Sequence, residues 1–252
     1  MKNNPLVTIV IATYNSANYI KSALDSVEKQ NFDNWECLVI DGKSSDSTIE
    51  IVKQYCLKDS RIRYISESDK GIYDAFNKGY RNAKGKWIYY LGSDDELYAN
   101  GLAQLLKVPK VDSFDVIYGG VMMKNIDGTE RIAKLTGHDN MPFRMFACHQ
   151  GVITKREVII ELGGFDTNLK IIADFEFYIR LYLANKYRFK CVPNVIVAKF
   201  MLGGASSELL KMLKENRYVS RKNHLGVEYM LFQYARTTWL FIKKQLGIKK
   251  SL

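Results

Sequence analysis

Asp94, Asp95 and Glu96 stand in a row directly after a short apolar run, Trp87-Ile88-Tyr89-Tyr90-Leu91, which Gly92 and Ser93 interrupt. Three adjacent acids at the end of a buried strand repel one another unless a positive charge sits among them. A divalent cation is the simplest such charge. Hard cations take carboxylate oxygens, and magnesium is usually held by one or two carboxylates together with substrate phosphates. A solvated acidic turn would carry the same letters, so Asp-Asp alone leaves both readings standing. Two further acids end or open elements: Asp41 closes an apolar run, and Asp174 lies in 171–181, IIADFEFYIRL. Each is also what a turn or a helix cap calls for. His149 and Gln150 sit together in 147–154, ACHQGVIT, where a lone histidine is either structural or a ligand.

The elements around these residues decide where they meet. In 66–97, SESDKGIYDAFNKGYRNAKGKWIYYLGSDDEL, the residues Ile72, Ala75, Phe76, Gly79, Tyr80 and Ala83 recur at helical spacing. Gly85 stops that helix, and Trp87 to Leu91 reads as a strand covered on both faces. Upstream, Leu6 to Ala12 is a buried, β-branched first strand, and Thr13-Tyr14-Asn15-Ser16 is the loop at its carboxyl end. A helix capped by Ser16 or Asn18 follows, with Tyr19, Ile20, Ala23, Leu24 and Val27 on one face. Trp35 to Ile40 is the second strand, and Gly42 to Thr48 turns into a helix capped by Ser45 or Asp46. Ile62, Tyr64 and Ile65 mark a third strand. This alternation predicts an α/β fold with a doubly wound, mostly parallel sheet. In such sheets ligands lie beyond the carboxyl ends of the strands, where loops 13–16 and 41–48 meet Asp94 and Asp95. After Leu97 the pattern loosens. It predicts a short helix at Leu102 to Leu106, a strand at Val116 to Tyr118 and a hairpin from Val121 to Lys134 around Asp127-Gly128. A strand over Ala147 to Thr154 and a short helix over Lys155 to Leu162 complete this half.

The 252 residues suffice for one α/β domain with an appendage. No apolar run approaches the roughly 18 residues of a membrane span. Leu6 to Tyr14 leads into a helix pattern rather than a cleavage site, which reads as a strand and not a leader. Cys37, Cys56, Cys148 and Cys191 have no metal-ligand spacing; they read as free thiols of a reducing compartment, the cytosol by default. The formal charge of +10 is uneven. From Lys211 onward ten basic residues face only Glu215 and Glu228, an excess of eight, so the rest of the chain is near neutral.

The ordered blocks DKGIYDAFNKG, LGSDD, ACHQG, IIADFEFYIRL and GGAS over residues 6–205 resemble the family 2 glycosyltransferases, and within them the branch that assembles O-antigen and capsular polysaccharides. The resemblance implies a GT-A nucleotide-diphospho-sugar transferase fold over 1–205, with a nucleotide-binding half, 1–98, and an acceptor half, 99–205. It implies an inverting transfer from a nucleoside-diphosphate sugar, with UDP the expected nucleotide and GDP left open, to a saccharide acceptor carried on a polyprenyl lipid. Asp41 would bind the base, Asp94 the ribose, and Asp95 a manganese or magnesium ion on the diphosphate. Thr13, Tyr14, Asn15, Lys70, Asn77 and Ser93 would complete the nucleotide side. Inversion needs a base for the acceptor hydroxyl, and Asp174 matches it. The family's usual Glu before it is Ala173 here, which leaves Glu176 in reserve. His149, Gln150, Gly203 and Gly204 would face the diphosphate and acceptor.

Residues 206–252 form a C-terminal helical extension in which basic residues alternate with Leu, Met, Phe and Trp. That is the profile of a peripheral membrane anchor at the inner face of the plasma membrane. It is equally that of a helix packed on the domain or on a second copy. A sugar nucleotidyltransferase would need a Gly-rich, cationic loop where Thr13 to Ser16 stand. A dinucleotide oxidoreductase would need G-x-G-x-x-G there, which is lacking. A nucleic-acid binder would use the basic tail but leave Asp41, Asp94, Asp95 and Asp174 without purpose, so no nucleic-acid partner is expected.

Overall fold

The computed structural model describes residues 4–125, 127–201 and 209–245. Strand β1 (Val7–Thr13) is buried along its whole length, as is β2 (Trp35–Asp41), because both are covered on two faces. They run parallel to each other, to β3 (Ile62–Ser66) outside β2, and to β4 (Trp87–Gly92) on the other side of β1. The helices α1 (Ile20–Glu28), α2 (Thr48–Lys58) and α3 (Ile72–Asn82) are the crossovers.

Beyond β4 the sheet becomes mixed. After β5 (Glu96–Leu97) and α4 (Gly101–Leu106) come β6 (Val116–Lys124), β7 (Glu130–Ile132), β8 (Val152–Lys155), α5 (Arg156–Glu161), α6 (Ala173–Leu183) and β9 (Phe189–Met201). The order is β3-β2-β1-β4-β8-β6-β9-β5, with β7 paired to β6. β8 is antiparallel to both neighbours, whereas β6 and β9 are parallel. The hairpin expected around Asp127-Gly128 is β6–β7, with Met122 opposite Ile132. Ile9, Ile11 and Val39 pack with α1, α2 and α4 on one face. Val10, Leu38 and Ile40 pack with α3, α5 and α6 on the other. The sheet is thus doubly wound. On the second face α3 lies directly on β1: a Cβ at Gly79 would come within 2.4 Å of Val10 Cγ1.

Three local expectations are corrected. His149 and Gln150 are not on a strand; they form a 3-10 turn, His149–Gly151, before β8. Pairing of β8 with β6 starts only at Tyr118–Val152, and Gly151 packs so close to Gly119 that a Cβ there would lie 2.5 Å from the Gly119 carbonyl oxygen. α1 begins at Ile20 rather than beside a Ser16 or Asn18 cap. The Ser16 carbonyl takes the Tyr19 and Ile20 N–H groups, while its hydroxyl pairs with Ser93 Oγ at 2.9 Å. α2 has Ser47 at its cap, and Asp46 acts one residue earlier by accepting the Thr48 N–H at 3.1 Å.

The last two helices, α7 (Leu209–Lys222) and α8 (Val227–Gln245), form a hairpin against the domain. Met212, Val219 and Tyr229 join the cluster of buried side chains that contains Val10 and Phe76.

Candidate active site

Register brings the first-half loops together: Thr13 pairs with Asp41, and Ala12 with Gly92, so β1, β2 and β4 end at one level. Asn15 has φ +48°, a conformation asparagine tolerates, and ties the first two loops. Its N–H donates to Ser44 Oγ at 2.8 Å and its Oδ1 accepts from the Ser45 N–H at 2.9 Å. Tyr14 beside it is exposed, and Thr13 Oγ1 is buried with no partner among the described residues.

Beyond the end of β4 lies a cavity of about 480 Å³, lined among others by Tyr73, Asp94, Asp95, Lys134, His149, Gln150, Lys170 and Asp174. Asp94 is exposed at its rim, whereas Asp95 is 1% exposed. Asp95 accepts from Gln150 Nε2 at 3.1 Å and from the Met201 N–H at 3.1 Å. These two donors do not offset burial and the neighbouring Asp94 charge, which together push its carboxyl up to about 7. Gly92 is what lets the two acids converge: a Cβ there would lie 2.5 Å from Asp95 Oδ2 and 3.0 Å from Asp94 Oδ1. His149 stacks on Phe76 at 5.3 Å, and burial pushes its imidazole down toward neutrality against the opposing pull of Asp174.

Asp174 lies in the first turn of α6, past the cap position, which Ile172 occupies. The Tyr73 hydroxyl donates to the Ile171 carbonyl at 2.8 Å and stands 3.1 Å from Asp174 Oδ1. From the other side the buried Glu215 of α7 accepts the backbone N–H groups of Lys170, Ile171 and Ile172 at 2.8, 3.0 and 3.1 Å. The segment that presents Asp174 is therefore gripped by α3 and by α7. Neither Tyr73 nor Glu215 was singled out from the sequence. The signals were present: Tyr73 lies inside DKGIYDA, and Glu215 is one of only two acids in a basic tail.

Eight expected site residues do not line this cavity: Thr13 closes β1, Tyr14, Asn15 and Ser93 stay in the loops after β1 and β4, and four others lie as follows. Glu176 is fully buried, held by Arg180 Nε at 3.0 Å and Lys222 Nζ at 3.0 Å, and does not line the cavity. It cannot serve as a reserve base there. Asn77 is buried and locks α3 to the following half, exchanging hydrogen bonds of 2.8 Å with both the Phe165 N–H and its carbonyl. Asp41 is also buried; it accepts from the Ser44 N–H at 3.0 Å and the Ser66 hydroxyl at 2.6 Å and stays outside the cavity. Lys70 lines a smaller neighbouring cavity of about 260 Å³ with Lys170 and Lys211, its carbonyl accepting from Lys170 Nζ at 2.7 Å. Gly203 and Gly204 lie outside the described residues.

The cavity lining also includes the apolar residues Met123, Met145, Ala147, Phe200 and Met201, interspersed with Lys134 and Lys170. Met123 and Phe200 come from paired positions of β6 and β9.

Residues 8–164 match the model of glycosyl transferase family 2. The chain is 30% identical over 210 residues to a PGL/p-HBAD biosynthesis glycosyltransferase of Mycobacterium bovis, covering 82% of this chain and 81% of that protein. Among solved structures, S. aureus TarS 1-349 in complex with UDP-GlcNAc superposes with a TM-score of 0.70 at 20% identity, over 85% of this chain and 65% of that one. The chain spans only 39% of the longer TarS structure. The mannosyltransferase PcManGT of Pyrobaculum calidifontis, in complex with GDP-Man and Mn2+, gives 0.65 at 17% identity, over 99% and 82%. These likenesses establish the GT-A fold, and the sequence matches establish the lineage: the chain belongs to glycosyl transferase family 2.

Proposed function

We propose that this glycosyltransferase is inverting and metal-dependent, and transfers a sugar from a UDP donor to a saccharide hydroxyl during assembly of a surface polysaccharide such as O-antigen or capsule. The observation that carries the reading is a single cavity holding two kinds of carboxylate, the paired Asp94–Asp95 and the separately anchored Asp174.

Manganese or magnesium fits beside Asp95. The carboxylate is buried, raised by its neighbour, and has no cationic partner among the described residues. No group of three or more His, Cys, Asp or Glu side chains among those residues could hold a metal alone, so donor phosphates would complete the shell. When bound, the cation would offset charge on the departing diphosphate. Asp174 takes the acceptor proton as the hydroxyl attacks the anomeric carbon, and Tyr73 and Glu215 keep it aimed. His149, kept neutral, offers a hydrogen bond without adding charge.

The methionine and phenylalanine side chains in the cavity lining support an acceptor that carries an apolar group, such as a polyprenyl-linked saccharide. The cytoplasmic face of the plasma membrane is where such acceptors would be met. The test is product analysis with a panel of UDP-sugars and soluble acceptors. An inverted anomeric configuration, dependent on manganese or magnesium, is expected. A retained configuration, or undiminished turnover in chelator, would overturn the mechanism.

A further inference from the structure

Helix α8 turns an apolar side outward. Along α8, Tyr229, Gln233 and Thr237 are buried, and Gln233 Nε2 donates to the Phe143 carbonyl at 2.9 Å. The opposite side carries Val227, Leu231, Tyr234, Trp239, Phe241 and Ile242, with Leu231 64%, Trp239 55% and Phe241 51% exposed. At about 100° per residue these six fall in one arc with Ala235 and Thr238. Glu228, in the first turn, is the only charged residue in that arc. A helix that merely completed the core would be oriented the other way round.

α7 lays a second stripe beside the first. Leu210, Lys214, Arg217 and Arg221 recur at i, i+4, i+7 and i+11 and are exposed. Arg217 Nη2 donates to the Tyr234 hydroxyl at 2.7 Å, which sets this cationic stripe against the apolar one. The one acid of α7, Glu215, is turned inward onto residues 170–172. The result is an apolar strip about 22 Å long flanked by three cations.

This combination selects its occupant. A second copy would bring together two tails that each carry an excess of eight positive charges. Nucleic acid would match the cations and leave Leu231, Trp239, Phe241 and Ile242 against a polar backbone. An anionic bilayer satisfies both: the apolar side enters the headgroup–acyl boundary while Lys and Arg meet the phosphates. No described helix is long and apolar enough to cross a membrane, so α8 would lie in the plane. We infer that the outward face of the α7–α8 hairpin docks on the anionic phospholipid headgroups of a membrane surface.

The docking has a consequence for the site. α8 packs on the loop whose Phe143 meets Phe232 at 5.6 Å and whose Met145, Ala147 and Cys148 line the cavity. Docking would therefore hold this edge of the cavity one helix diameter, about 10 Å, behind the lipid surface. Any use of that nearness by an acceptor rests on the glycosyltransferase reading; the surface stands on α7 and α8 themselves.

The experiment is co-sedimentation of the full chain with vesicles of phosphatidylcholine, with and without phosphatidylglycerol, alongside Trp fluorescence. Trp35 and Trp87 are buried, so a vesicle-induced blue shift reports Trp239. Binding only to the anionic vesicles, with a blue shift, is expected. Lys214→Ala with Arg221→Ala should weaken it about 25-fold, roughly fivefold per cation. Leu231→Glu with Phe241→Glu should abolish it while manganese-dependent UDP binding is unchanged, which also shows that the variant is folded. Failure of the wild type to bind anionic vesicles, or binding untouched by these substitutions, would overturn the inference. So would a dimer that Leu231→Glu with Phe241→Glu dissociates. Vesicle binding without any UDP binding would sustain the surface and count against the enzymatic reading alone.

Discussion

Glu215→Gln is the substitution that separates the tail's grip on the segment carrying Asp174, the proposed base, from its contribution to folding. In the wild type Oε2 accepts from the Ile171 and Ile172 N–H groups and Oε1 from that of Lys170. A glutamine keeps two of these contacts at best, and its NH2 group then confronts the remaining N–H, donor against donor. Hydrogen bonds to a charged acceptor contribute about 1.5–3 kcal/mol each, and a stranded buried donor costs a similar amount. The expected destabilisation is about 2–3 kcal/mol, within the roughly 5–15 kcal/mol a domain has in hand. The protein therefore stays folded, but 170–172 relaxes and carries Asp174 with it. A displacement near 1 Å at a reacting group costs on the order of 10²-fold in rate. UDP affinity should hold, because Asp95 is fixed from Gln150 and Met201, not from α7. Urea unfolding, calorimetric UDP binding and steady-state turnover of one preparation give the answer. A variant that is destabilised as expected yet turns over at the wild-type rate would show that α7 does not position the base. Parallel loss of kcat and UDP affinity would show general loosening instead.

Other perturbations probe separate parts of the site. Asp174→Asn should retain nucleotide binding and lose transfer by at least about 10²-fold, and an active variant would remove Asp174 as the base. Glu176→Gln uncouples a fully buried carboxylate from Arg180 and Lys222. It should lower stability by about 3–5 kcal/mol, and unchanged urea unfolding would refute the burial argument. The Asp95 carboxyl titrates from 3.8 in the unfolded chain to about 7 in the native, metal-free state. The native state therefore holds the extra proton between those values, and stability falls as pH rises through that window. At about 1.4 kcal/mol per pH unit, wild type minus Asp95→Asn should lose up to about 4 kcal/mol between pH 4 and pH 7 in chelator. A flat difference would mean that Asp95 ionises normally.

The sequence made the first half of the sheet and its acidic turn legible because their signals are local. Continuous apolar runs marked β1, β2 and β4, and Asp94 and Asp95 follow β4 without an intervening element. What remained hidden depends on partners distant in the chain. Glu176 looks like an active-site acid three residues from Ala173, but helical spacing turns it inward onto Arg180 and Lys222. Asn77 resembles a ligand contact until Phe165, 88 residues away, claims both ends of its amide. The His149–Gln150 pair reads as strand because its neighbours are apolar, yet the ladder with β6 starts only at Val152 and 149–151 forms a turn. α8 carries apolar residues on both sides, so periodicity alone did not say that Tyr229 faces in and Leu231 faces out.

The most direct test of the central claim, that donor binding and proton removal are divided between Asp95 and Asp174 in one cavity, is calorimetric titration of UDP with and without manganese. Wild type, Asp95→Asn and Asp174→Asn would be compared. Manganese-dependent binding that is lost in Asp95→Asn and kept in Asp174→Asn is expected. Equal binding by all three, or binding indifferent to manganese, would contradict it.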